Sequence, residues 1–222
     1  MMKIHDFWRG PYPARVRIAL AELGLQDKVQ FVEVDLRTGT HKTQDFLEKN
    51  YSGTLPVLEL ADGTFIAECT AITEYLDHLE GKPRLTGLSA RERGVIHMMN
   101  KRAEIEALDP ISVYFHHATP GLGPHVELYQ NPEWGERMRD KALRGAAYFN
   151  DVLSERPYVA GEAFSMADIA LVAAFVFADI VQVTIPSDLS HLHAWHDRMS
   201  ARASVQGWQD MGRSAEGSMV TE

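Results

Sequence analysis

The chain is predicted to fold as two unequal parts, a small α/β domain followed by an all-helical domain. Two observations carry this. Strand-like runs are confined to the first third, where two of them flank a helical segment and two more face each other across an Asp62-Gly63 turn. From Ser89 onward the strand signals fade, and helix-start signatures recur at Ser89, Asn131 and Ser165. Composition permits the arrangement: 222 residues, 45% of them hydrophobic and 24% charged, can bury enough surface without a metal or disulfide staple.

The elements follow in order. Residues 3–8 are expected as a strand, interrupted by Pro11 and Pro13. Residues 14–24 then have helical character, with Ile18, Ala21 and Leu25 near one face and Gly24 as the stop. Residues 29–34 form the second strand. A helix between two such strands makes a βαβ unit, hence a parallel pair with a right-handed crossover. A short helix is expected over 42–49, a hairpin over 56–60 and 64–67, and a third helix over 69–79. This βαβ, α, ββ, α order is thioredoxin-like. Gly81, Pro83 and Gly87 make 81–88 the linker between domains at 1–80 and 89–210, with 211–222 expected as a flexible tail. In the second domain, Ser89 and Glu92 have capping-box spacing and open a long helix to about His117. Pro110 should kink that helix, because it cannot donate to Glu106. Residues 119–124 are a loop. Pro132 sits in the first turn of the next helix, and Ser165 with Asp168 caps another, with Phe164 and Ile169 spaced as its hydrophobic staple. A last helix is expected over about 189–202.

Charge and length exclude several functions. A net charge of −9 repels nucleic acid. The longest apolar run, 169–178, lies between Asp168 and Asp179 and is far short of the roughly 20 residues of a membrane span. The N-terminus carries no apolar signal region, and Cys69, the one cysteine, has no partner within the chain. A cytoplasmic protein is expected.

Three stretches carry chemistry. In Gly53-Thr54-Leu55-Pro56-Val57-Leu58 a proline without an amide hydrogen opens a strand, a place for a ligand or simply a strand start. In Ala67-Glu68-Cys69-Thr70-Ala71-Ile72, Glu68 opens a helix whose backbone amides could receive an anion; otherwise Glu68 is a solvated acid and Cys69 a small buried hydrophobe. Gly10-Pro11-Tyr12-Pro13 occupies the turn where a redox protein would carry two cysteines, and neither sulfur is there, which argues against disulfide exchange. Ser112 and His116, four apart after Pro110, share a helix face.

These motifs, with the Ser165–Asp168 cap and the Leu192, Trp195, Arg198, Met199, Val205 pattern, resemble the cytosolic glutathione transferases over residues 3 to about 206. The activating Tyr, Ser or Cys of most of that family is missing. Residues 10–17, 53–54, 67–72, 97–102 and 113–121 instead resemble the fungal Gtt type. The resemblance implies the glutathione transferase fold, glutathione as co-substrate with no metal or redox cofactor, a small hydrophobic electrophile, and a homodimer. It implies that Leu55 and Pro56 pair with the peptide, that Glu68 and Cys69 hold the γ-glutamyl end, and that His41 or Lys42 meets the glycine carboxylate. Of Arg15 and Arg17, one could bind ligand and the other serve an interior ion pair. Gly10 would let the sulfur approach the start of the first helix. Lowering a thiol by about two units from its usual value near 8.5 needs about 2.7 kcal/mol. A helix terminus supplies about 0.3–1, up to about 2, kcal/mol, so a further charge-assisted donor worth roughly 1.5–3 kcal/mol is required. The candidates are Tyr12 and, as the Gtt resemblance implies, a water held by Ser112 and His116. Tyr12 could equally pack at the helix start, and His116 and His117 could be ordinary surface or core histidines. The electrophile is expected near Trp8, Phe115, His116 and the 120–124 loop. Two other functions remain open: a non-catalytic module of the same fold that binds ligand or partner, and a glutathione-dependent peroxidase.

Overall fold

A computed structural model describes residues 1–212 of the chain. The first domain is a four-stranded sheet in the order β2-β1-β3-β4, built from β1 (Met2–Asp6), β2 (Val29–Glu33), β3 (Val57–Glu59) and β4 (Phe65–Ala67). β1 runs parallel to β2, with Ile4 opposite Phe31, and antiparallel to β3, with Ile4 opposite Leu58. β3 and β4 form the expected antiparallel hairpin. Because successive strand residues face opposite ways, Leu58 joins Ile4 under α1 (Pro11–Leu23) and α3 (Cys69–His78), whereas Val57 packs with Phe46 of α2 (Gln44–Leu47) on the other face.

Two boundaries differ from expectation. The first helix starts at Pro11, not at 14, since a proline in the first turn lacks only an amide that has no helical partner. It ends as expected at Gly24, which takes the left-handed conformation. The helix expected over 42–49 is shorter, a 3₁₀ turn at Thr40–Lys42 followed by α2.

The second domain contains α4 (Ala90–Ala103), α5 (Asp109–Ala118), α6 (Pro132–Ser154), α7 (Met166–Ile180), α8 (Ser190–Ser200) and the short α9 (Ala203–Gln206). Ser89 and Glu92 cap α4 reciprocally, Asn131 caps α6, and Ser165 with Asp168 caps α7. The single kinked helix expected to about His117 is two helices joined by a π-helical turn, Glu104–Leu108. The irregularity precedes Pro110: the Asp109 amide reaches back to the Glu104 carbonyl. The α6 backbone lies directly on this turn, where a Cβ at Gly145 would stand 2.0 Å from the Glu106 carbonyl oxygen.

The halves share one core. Ala14, Ile18 and Ala19 of α1 pack into the cluster formed by α4, α6, α7 and α8. Of the segment expected as a tail, Met211 packs on the first domain; residues 213–222 lie outside the described part. Among the described residues, no helix is long and apolar enough to cross a membrane.

Candidate functional site

A cleft of about 1540 Å³ opens between the domains, larger than the roughly 300–1,000 Å³ of an ordinary ligand pocket. Ten of the residues singled out in the sequence line it, Gly10, Tyr12, His41, Lys42, Leu55, Pro56, Glu68, Cys69, Ser112 and His116, whereas Arg17 does not. The first domain contributes the starts of α1 and α3 and the turn before β3. The second contributes the π turn, α5 and α7.

The Leu55–Pro56 peptide is cis. Glu68 caps α3 with φ 68° and ψ 119°, a backbone conformation unusual for a side chain other than glycine. Its carboxylate has no hydrogen-bond partner among the described residues. Cys69 is buried and its Sγ donates to the Tyr12 carbonyl at 3.4 Å. Burial pushes this thiol up to about 11, so it stays protonated at neutral pH.

The start of α1 differs from expectation in its reason for glycine. A Cβ at Gly10 would lie 2.9 Å from Pro13 Cδ and 3.2 Å from the Phe7 carbonyl oxygen. The turn itself therefore demands a small residue, whatever ligand approaches. The Tyr12 hydroxyl donates to Asp109 Oδ1 at 2.8 Å across the domain boundary. Burial and the Asp109 carboxylate push this phenol far above its ordinary value, and its proton is directed at Asp109.

His41 is buried, and its Nδ1 has no hydrogen-bond partner among the described residues. Burial, then the charges of Lys42 and His116, hold its pKa below the usual histidine value. Lys42 is exposed and donates to the carbonyls of Gly53 at 2.9 Å and Ser52 at 3.2 Å. Arg15 donates to Glu104 at 2.8 Å, Asn100 at 3.1 Å and Thr70 at 3.2 Å. Burial alone would raise Glu104, but Arg15, Lys101 and Thr70 outweigh it and hold the carboxyl low. Arg17 pairs with Asp6. Both arginines are thus interior ion-pair partners.

On α5, His116 Nδ1 meets Glu127 Oε1 at 2.8 Å, and the same oxygen accepts the Leu122 amide at 2.9 Å. His117 Nδ1 accepts the Asn131 amide, a structural role. Part of the helical side of the cleft is apolar: Phe115 lies 5.4 Å from Phe177, and Val126 and Trp208 also line it.

Glu104, Asp109, Glu127 and Trp208 were not found from the sequence. Each reaches the cleft by a long-range contact or across a loop, and none sits in a motif; only the i,i+3 spacing of Asp109 and Ser112 offered a signal.

A model of the N-terminal domain of glutathione S-transferases matches residues 9–79, and a model of their C-terminal domain matches 132–198. Glutathione S-transferase 2 of Saccharomyces cerevisiae is 65% identical over 92% of this chain and 88% of its own length. The crystal structure of Gtt2 from Saccharomyces cerevisiae superposes with TM-score 0.92 at 64% identity, covering 93% of this chain and 99% of that one. A glutathione S-transferase domain-containing protein of Marinobacter aquaeolei superposes with TM-score 0.89 at 52% identity, covering 91% and 99%.

Proposed function

The chain belongs to the glutathione S-transferase family, and on that footing we propose that it ionises bound glutathione at the start of α1 and directs the thiolate at a small apolar electrophile. The observation that carries this is one cleft joining a carboxylate and a buried histidine Nδ1 that have no hydrogen-bond partner among the described residues with a Ser/His pair.

Glutathione lies along the first domain. Its γ-glutamyl carboxylate meets the amides at the start of α3, and its ammonium meets Glu68. Cys69 supplies a backbone amide there and no nucleophile. The cysteinyl backbone pairs with Leu55 beside Pro56, and the glycine carboxylate approaches His41 Nδ1. Lys42, tied to two carbonyls, adds its field from the rim. The sulfur then rests near Gly10 and Tyr12.

The deprotonating group is a water between Ser112 and His116. With Nδ1–H donating to Glu127, His116 presents Nε2 as the acceptor. The thiol proton passes through the water to Nε2. The thiolate attacks the electrophilic carbon, a C–S bond forms, and either a leaving group departs with its electron pair or the added electrons take up a proton. Tyr12 holds the domains in register through Asp109. Phe115, Phe177 and Val126 take the apolar body of the electrophile. Following the family, the enzyme is a homodimer acting in the cytosol.

The test is conjugation of glutathione to 1-chloro-2,4-dinitrobenzene, followed by absorbance beside a calorimetric glutathione titration. His116→Ala should lower kcat/KM about 10²-fold or more and leave glutathione affinity unchanged. Tight glutathione binding with a background rate in the unmodified protein would instead select the non-catalytic module.

A further inference from the structure

We infer that Arg17, held by Asp6, is a positioning residue that latches the C-terminal segment 203–212 onto the first domain and so sets the wall that meets the far end of the electrophile. The inference rests on the proposed function, because it takes the Trp208 side of the cleft as the electrophile's side.

Arg17 is 2% exposed and Asp6 1%. The guanidinium makes a two-pronged contact with the carboxylate, Nε to Oδ2 at 2.6 Å and Nη2 to Oδ1 at 3.1 Å. Its remaining nitrogen, Nη1, donates to the main-chain carbonyls of Trp208 at 3.2 Å and Met211 at 2.7 Å. An ion pair internal to the first domain would not need those last two bonds. They fix residues from the other end of the chain.

The segment is pinned again on either side. Before it, Arg202 pairs with Glu22 of α1 at 2.8 Å. At its far end, Met211 packs against the first domain's core, and the Gly212 backbone sits on the Phe31 ring. A Cβ at Gly212 would stand 2.3 Å from Phe31 Cδ2, at a φ of +73°. Arg17 itself lies 4.3 Å over that ring. Between the pins, Val205, Gln206, Trp208 and Gln209 face the cleft. Arg17 and Asp6 do not line it, so they act only through the segment they hold. Asp6, neutralised by Arg17, makes the burial of the guanidinium tolerable. A lysine could serve the carboxylate, but one ammonium cannot hold the same fork and both carbonyls.

The experiment measures calorimetric affinities of glutathione, S-methylglutathione and S-hexylglutathione for the unmodified protein, Arg17→Lys and Gly212→Ala. A loosened wall should reduce the preference for the hexyl over the methyl ligand by about tenfold in both variants. Glutathione itself should bind within about twofold of the unmodified protein. A hexyl preference retained in either folded variant would overturn the latch, as would equal weakening of all three ligands. If Arg17→Lys does not fold, Gly212→Ala decides alone. If the unmodified protein binds none of the three, the proposed function fails and the latch with it, a result distinct from a lost or kept hexyl preference.

Discussion

Replacing Glu68 by glutamine should weaken glutathione binding about 5- to 30-fold, because it removes one charge and little else. The chain length and the backbone at φ 68° are kept. The carboxylate has no hydrogen bond to lose among the described residues, so folding stability should change by less than about 0.5 kcal/mol. The ligand term follows from exposure. Two unit charges about 4 Å apart interact by about 1 kcal/mol in water and about 4 kcal/mol at an effective dielectric of 20. Glu68 is exposed at the cleft, which places the pair with the ligand ammonium toward the lower figure, about 1–2 kcal/mol. Calorimetry at neutral pH reads this directly. A second ligand, glutaryl-cysteinylglycine, lacks the ammonium and should bind both proteins alike. Less than a twofold change with glutathione, or the same loss with the amine-free analogue, would refute the pairing of Glu68 with the ammonium.

Tyr12→Phe removes the 2.8 Å bond to Asp109 and should cost about 1–2 kcal/mol in urea unfolding. Its kcat should stay close to that of the unmodified enzyme; a drop of about 10²–10³-fold would instead make the hydroxyl a donor to sulfur. His41 titrates below the usual histidine value in the free protein, and a bound carboxylate favours its charged form. Glutathione binding should therefore take up a proton, with affinity highest at low pH and falling as pH rises through the histidine's value in the complex. Calorimetry in buffers of different ionisation heat measures the uptake, which His41→Gln should abolish. Asp168 accepts from the Val159 and Ser165 amides, the Ser165 hydroxyl and the Trp195 indole, so Asp168→Ala should cost about 3–5 kcal/mol in denaturant unfolding. Burial pushes its carboxyl from 3.8 up to about 6. The folded state then binds a proton the unfolded chain has released, a stabilisation full below the unfolded value and lost as pH rises through about 6. Asp168→Asn should flatten that part of a stability–pH curve; an unchanged slope would assign it to another group.

Local chemistry was legible along the chain. Strand-like runs marked the strands, Asp62-Gly63 marked the hairpin, and Ser89, Asn131 and Ser165 marked helix starts, because caps and turns are decided by residues within four positions of one another. The residues lining the first-domain side of the cleft were legible for a related reason: Gly10, Pro56 and Glu68 sit at element ends, where backbone groups are left over for a ligand. The π turn was not legible. A π turn and an α turn place nearly the same residues in sequence, and the difference lies in the close approach of Gly145 to Glu106. The partners of the site residues were hidden in the same way. Tyr12 is 97 residues from Asp109, so the commitment of its hydroxyl had no trace in spacing.

By itself the sequence determined a thioredoxin-like half, a helical half and the motifs that line the first-domain side of the cleft, since each rests on short-range preference or a local motif. Only the tertiary structure decided that both α1 arginines are interior, that Glu127 holds His116, and that the last described residues return to the first domain. Those outcomes depend on which distant backbone carbonyls and carboxylates are left unpaired once the two cores close, and a linear pattern carries no record of that.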